Sequence, residues 1–89
     1  MLYIVTYDIN NSVIESDFIS ELQKCGDSYH FVTNSWFLFS EKSLEPLYSK
    51  LQPFFKNGNG HILIARTKLD DMAGWLSETA IDWLRKHEE

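Results

Sequence analysis

The sequence predicts a small α+β domain of ferredoxin-like type, βαββαβ: an antiparallel sheet with two helices on one face, plus a C-terminal helix. Three observations predict it. The chain opens on an apolar, β-rich run, Met1-Leu-Tyr-Ile-Val-Thr-Tyr-Asp8, that stops at a carboxylate. Apolar residues then recur with helical and strand periods in the order strand, helix, two strands, helix, strand. The length of 89 residues, 44% of them hydrophobic, with six Phe, four Tyr and three Trp, suffices for one core and no second one. The expected domain is therefore 1–89, with a core over about 1–68 and a helical extension over about 70–88.

The first strand runs from Leu2 to Asp8, with Leu2, Ile4 and Thr6 on one face and Tyr3, Val5 and Tyr7 on the other. Apolar residues on both faces mark a central strand. Asn10, Asn11 or Ser12 can cap a helix whose stripe is Ile14, Phe18, Leu22 and Cys25, and Gly26 offers its stop. From Ser28 to Ser40 the period falls to two around Thr33-Asn34-Ser35, which reads as a hairpin with a short polar turn. Ser43 can cap a second helix that tolerates Pro46 in its first turn, carries Leu44, Leu47, Tyr48 and Leu51, and ends or bends near Gln52 because of Pro53. Asn57-Gly58-Asn59-Gly60 is a turn, and His61 to Thr67 is the last strand. Asp70 to Trp75 reads as loop, after which Ser77 can cap a helix with Ala80, Ile81 and Leu84 inward.

With right-handed crossovers this order sets the first and last strands side by side in the middle of the sheet. Two helices cover one sheet face, and the other still carries large apolar residues that water does not suit. A second copy of the chain is the preferred cover for it. The alternative is that the last helix, with Trp75 and Trp83, folds back across it.

Composition narrows the functional classes. Thirteen acids against eight bases give a formal charge of −5, which argues against coating nucleic acid by bulk electrostatics but leaves room for a local or metal-bridged contact. Cys25 is the single cysteine, so neither an intrachain disulfide nor a multi-thiolate zinc site can form, and a reducing, cytoplasmic setting is expected. No apolar run approaches the length needed to span a bilayer, so no membrane partner is expected.

Asp8 is the first candidate for chemistry, because a carboxylate at the end of a central strand can hold a divalent cation through oxygen. Across a twofold axis it would meet its own copy, and the pair could hold Mg²⁺ or Mn²⁺ and orient a water for phosphodiester hydrolysis. The plainer reading makes Asp8 a turn or cap residue. His30, His61 and His87 show no ligand spacing and read as structural or exposed. Tyr29, Trp36 and Trp75 could stack on bases, but interleaved cations are absent from the hairpin, and the basic residues Lys56, Arg66 and Lys68 lie elsewhere.

The texts Tyr3-Ile4-Val5-Thr6-Tyr7-Asp8-Ile9 and Asn34-Ser35-Trp36-Phe37-Leu38-Phe39, with the order of elements, resemble the small CRISPR-associated adaptation subunit family and the wider group that includes virulence-associated protein D. Tyr7-Asp8, Gly26-Asp27, Ser35-Trp36 and Ala73-Gly74-Trp75-Leu76 look more specifically like the short bacterial proteins of the SinR family, which is not the helix-turn-helix repressor of similar name. The resemblance implies a ferredoxin-like homodimer and a metal-dependent endonuclease acting on RNA or DNA in a defence or toxin-antitoxin system. Asp8 would be the metal ligand and catalytic acid-bearing position, with Ser35 a nearby polar assistant. The chain departs from the CRISPR-associated pattern in lacking a strongly basic first helix and in ending on a Trp-containing helix where relatives add a strand. The competing expectation is a non-catalytic homodimeric protein-interaction module of the same fold, and a third is a small-ligand sensor.

Overall fold

The computed structural model describes residues 1–88. In chain order these form β1 (Leu2–Ile9), α1 (Ser12–Lys24), β2 (Asp27–Val32), β3 (Ser35–Phe39), α2 (Leu44–Leu51), β4 (Gly60–Thr67) and α3 (Glu78–Lys86). Short 3₁₀ segments occupy Gln52–Gly58 and Leu69–Asp71. The fold is α+β, with a four-stranded antiparallel sheet in the order β2-β3-β1-β4.

β1 pairs along its length with β3 on one side and β4 on the other, as expected of a strand apolar on both faces. The position of β4 corrects the expectation. It does lie beside β1, but at an edge, and the two interior strands are β1 and β3. The chain after β4 crosses to a sheet face instead of adding a strand, which leaves the outer side of β4 open.

Alternation along β1 divides the core in two. Tyr3, Val5 and Tyr7 pack with Trp36 and Leu38 of β3, Phe18 and Leu22 of α1, and Leu47 and Leu51 of α2. The Phe18 ring anchors this layer, 4.7 Å from Tyr7 and within 6 Å of Phe54 and Phe55. Asn11 caps α1, its Oδ1 accepting from the backbone N–H groups of Val13 and Ile14, an arrangement that stabilises a helix by about 1 kcal/mol. α2 ends at Leu51 and tightens into the 3₁₀ segment at Pro53, since proline removes a helical donor.

Gly26 and Gly60 are glycines because of close backbone approach. α1 ends at Lys24 with Cys25 as its C-cap, so Gly26 follows the helix end as expected, and a Cβ at Gly26 would lie 2.1 Å from the carbonyl oxygen of Phe39, so the residue also lets β2 begin against β3. Gly60 has a φ of 146°, and a Cβ there would meet the Asp8 carbonyl oxygen at 1.9 Å. The hairpin is one residue tighter than expected. Ser35 belongs to β3 and pairs with Val32 and Thr6, and the turn is closed by Asn34 at a φ of 60°, which asparagine tolerates.

The second sheet face carries Leu2, Ile4, Phe37, Phe39, Tyr29 and Phe31, and α3 lies over it. Leu84 is 2% exposed and packs with Leu2 and Phe37, while the Trp83 ring sits 6.2 Å from Phe37 and 6.0 Å from Tyr29. Ser77 caps α3 by accepting from the Ala80 N–H. Tyr29 donates to Thr79 Oγ1, and His87 Nε2 lies 2.6 Å from Asp27 Oδ2, so both ends of the helix are fastened to β2. The cover that the sequence assigned to a second copy is thus made, over β2 and β3, by the chain's own C-terminal helix. Among the described residues, no helix is long and apolar enough to cross a membrane.

Candidate functional site

Asp8 stands at the last turn of the β1 pleat, on the face that α3 occupies, but beyond the reach of that helix. Antiparallel register sets His61 of β4 directly opposite it. Asp8 Oδ1 accepts the His61 backbone N–H at 2.7 Å and lies 3.3 Å from His61 Nδ1. Both side chains are exposed, at 69% for Asp8 and 91% for His61. The helix-cap role is taken by Asn11, so Asp8 does not cap α1. Its carboxylate instead steadies the start of β4 by accepting the His61 backbone N–H across the strand pair.

Ser35 lies on the same sheet face, one pleat from Asp8, because it pairs with Thr6. Its hydroxyl meets Thr6 Oγ1 at 3.0 Å, so the polar contact given to Ser35 runs to Thr6 and not to Asp8. Leu63, opposite Thr6 on the β4 side, is 65% exposed. A shallow cleft of about 220 Å³ borders Asp8 on the other side, lined by Ile9, Asn10, Gly58, Gly60 and His61. The metal-capable donors that the strand pairing brings together at this end of the sheet are the Asp8 carboxylate and the His61 imidazole. A carboxylate oxygen suits Mg²⁺ or Mn²⁺, and the imidazole suits Mn²⁺ better.

His61 escaped the sequence reading, which took the three histidines as scattered. The signal was present in the two strand limits: if the last residues of β1 face the first of β4, Asp8 and His61 must be cross-strand neighbours. The other histidines do serve packing, His30 stacked 4.6 Å from Trp36 and His87 against Phe39 and Trp83. Of the aromatics considered for base stacking, Trp36 is buried and Tyr29 supports α3, whereas Trp75 is 99% exposed.

A second polar group lies on the helix side of the same strand. The Tyr7 hydroxyl donates to Glu15 Oε2 at 2.8 Å. Burial, then the Glu15 carboxylate, push its pKa up to about 12. Trp36 Nε1 is buried without a hydrogen-bond partner of good geometry among the described residues, and its influence on the Tyr7 hydroxyl opposes that rise only weakly. Cys25 is buried on the α1 stripe as expected, its Sγ donating to the Glu21 carbonyl at 3.3 Å, and burial raises its pKa.

The third feature is a surface. Leu44 and Tyr48 on α2 are 45% and 48% exposed and, with Pro46, Glu45, Ile62 and Ile64, line a groove of about 710 Å³ beside the open edge of β4. Compared with known proteins, the chain matches no family model, no curated protein and no solved structure.

Proposed function

We propose that the protein is a homodimeric interaction module with no catalytic role for Asp8, built on a ferredoxin-like fold. The observation that carries this reading is the set of exposed apolar residues that flank the edge strand β4, Leu44 and Tyr48 on α2 and Leu63 on β4 itself, beside an outer side that is open. Large apolar surface gathered at one place is a feature of docking sites more than of solvated rims. The ferredoxin-like assignment is supported by the βαββαβ order and by β1 pairing with both β3 and β4. Membership of the SinR-like group rests on the Tyr7-Asp8, Gly26-Asp27 and Ser35-Trp36 texts, and a cytoplasmic setting on the lone, buried thiol. Sedimentation velocity on the purified chain tests the module: a species of twice the chain mass that dissociates on dilution is expected, and a monomer at all concentrations refutes it.

A second reading is favoured by one specific observation, the exposed Asp8 carboxylate beside His61. In it the protein is a metal-dependent nuclease cutting RNA or DNA in a defence or toxin-antitoxin system. Asp8 and His61 would hold Mn²⁺ or Mg²⁺, with Ser35 and Thr6 supplying hydroxyls on the approach. The metal would polarise a phosphate and lower the pKa of a bound water. Cleavage of labelled RNA and double-stranded DNA by wild type and Asp8→Asn, with Mg²⁺, Mn²⁺ or chelator, tests it. Cutting that needs metal and is lost in the folded variant supports the nuclease; none, or equal cutting by both, removes it.

A further inference from the structure

We propose that the outer edge of β4 is the dimer interface, where two copies pair β4 with β4 in antiparallel fashion about a twofold axis at Leu63 and join their sheets into one of eight strands. The inference deepens the interaction-module reading and rests on it.

The two edges of the sheet differ in how they resist such pairing. β2 is six residues long, has an irregular register between His30 and Val32, and is tied at its start by the Asp27 contact to His87. Bulges and short length are the usual means of blunting an edge. β4 has none of these. It is eight residues long, keeps continuous register with β1 from Gly60 to Thr67, and contains neither proline nor lysine. Its middle, Ile62-Leu63-Ile64-Ala65, is apolar.

A second copy fits this edge because the surface is complementary to itself. Residues directly opposite one another in an antiparallel pair share a sheet face, so an axis at Leu63 sets Leu63 against the partner's Leu63, and Ile62 against the partner's Ile64. The first pair removes from water the side chain that is 65% exposed on the open face. The second lies on the helix side, continuous with the groove walls Leu44 and Tyr48.

The same geometry has a consequence for Asp8. In an edge-joined sheet, two copies of β1 are three strand spacings apart, about 14 Å from the usual spacing, before any offset along the strands is added. Two Asp8 carboxylates at that separation cannot share one metal ion, so this dimer excludes the paired-aspartate site that a face-to-face dimer would create.

The test uses the full chain with Leu63→Lys and Leu63→Cys. Leu63 is largely exposed, so both changes should leave the fold intact, which far-ultraviolet circular dichroism checks. Two lysines directly opposite repel, and the dimer should weaken by about tenfold or more in sedimentation velocity. The cysteine variant should form a disulfide-linked dimer under mild oxidant, since opposed Cβ atoms are within reach of that bond, whereas wild type, whose thiol is buried, should not. A wild-type dimer that ignores Leu63→Lys and is not cross-linked through Leu63→Cys overturns the β4 interface and leaves the homodimer reading standing. A wild-type monomer overturns both. If Leu63→Lys does not fold, cross-linking alone decides: present, it supports the interface; absent, it overturns it.

Discussion

Leu84→Ala measures how much of the molecule's stability lies in the docking of α3 onto the sheet. Leu84 is 2% exposed and shares its layer with Leu2 and Phe37, so truncation removes three carbons from a place water does not reach. Buried Leu→Ala changes cost about 2–5 kcal/mol, the lower values occurring where the surroundings relax into the gap. α3 is a nine-residue helix on the outside of the fold with Ala80 and Leu84 as its buried residues, so it can settle inward. The expected loss is therefore about 2–3 kcal/mol. Against a total of about 4–13 kcal/mol for a domain of this length, that is a large fraction. Urea titration followed by far-ultraviolet dichroism reads it directly. With a slope of about 1–2 kcal/mol per molar for a small domain, the midpoint should fall by about 1–3 M. A fall below about 0.3 M at unchanged slope, a size typical of surface substitutions, would refute the burial of α3. A split transition would mean that α3 leaves before the sheet unfolds.

Three further outcomes follow from particular contacts. Tyr7 ionises near 10 when unfolded and about 12 when folded, so between those values the unfolded chain releases a proton that the folded chain retains. Stability should be full below pH 10 and fall by about 2 kcal/mol as the pH rises to 12; denaturation at pH 9 and pH 11.5 should show that component in wild type and not in Tyr7→Phe. Gly60→Ala should cost about 3 kcal/mol or more, because it combines a φ of 146° with a clash on the Asp8 carbonyl, whereas Gly58→Ala, at a φ of 75° with open space around it, should cost about 1 kcal/mol; equal losses in thermal unfolding would contradict the close-approach account. The Cys25 thiol should be alkylated far more slowly at pH 8 in the native protein than in urea, since burial raises its pKa and covers it; equal rates would show that the α1 stripe opens freely.

How far the sequence carried can be judged element by element. The strands and helices were legible because local chemistry specifies them: one of Asn10, Asn11 and Ser12 before an amphipathic run, Ser77 before Ala80 and Leu84, Pro53 at the end of α2; Ser43 stands at the start of α2 as expected, but its side chain makes no capping bond. Long-range placement was legible only in part: the pairing of β1 with β4 followed from the element order, and the place of β4 at an edge did not. Nothing in the period of His61 to Thr67 tells an edge strand from an interior one, since Ile62 and Ile64 pack against the helix-side core while Leu63 is exposed. The fold-back of α3 depended on side chains sixty positions apart, Asp27 with His87, and on Tyr29 with Trp83, which no local pattern links. Gly26 was read as the stop of α1, which ends just before it, but its second role, the close approach to Phe39, is invisible until the strands are paired.

Asp8 shows the same limit at the level of chemistry. A carboxylate at the end of a central strand has one meaning if two copies meet face to face and another if they join edge to edge. α3 decides much between them. By lying over β2 and β3 it occupies the apolar half of the face that a face-to-face dimer would use, and leaves uncovered the end that bears Thr6, Asp8, Ser35 and His61. Two sheets brought together there would have to displace the layer of Trp83 and Leu84 or meet through a mainly polar patch in which Leu63 is the exposed large apolar side chain. The edge of β4 demands neither, because its outer side is already open and the exposed residues at its middle, Leu63 and Ala65, are apolar. Removing α3 should therefore change the mode of association, not only its strength: a chain ending before Ser77 would expose Phe37, Leu2 and Ile4, and a sheet-face contact that survives Leu63→Lys is the expected outcome. If that shortened chain, shown to be folded, still loses its dimer on Leu63→Lys, α3 has no part in choosing the interface.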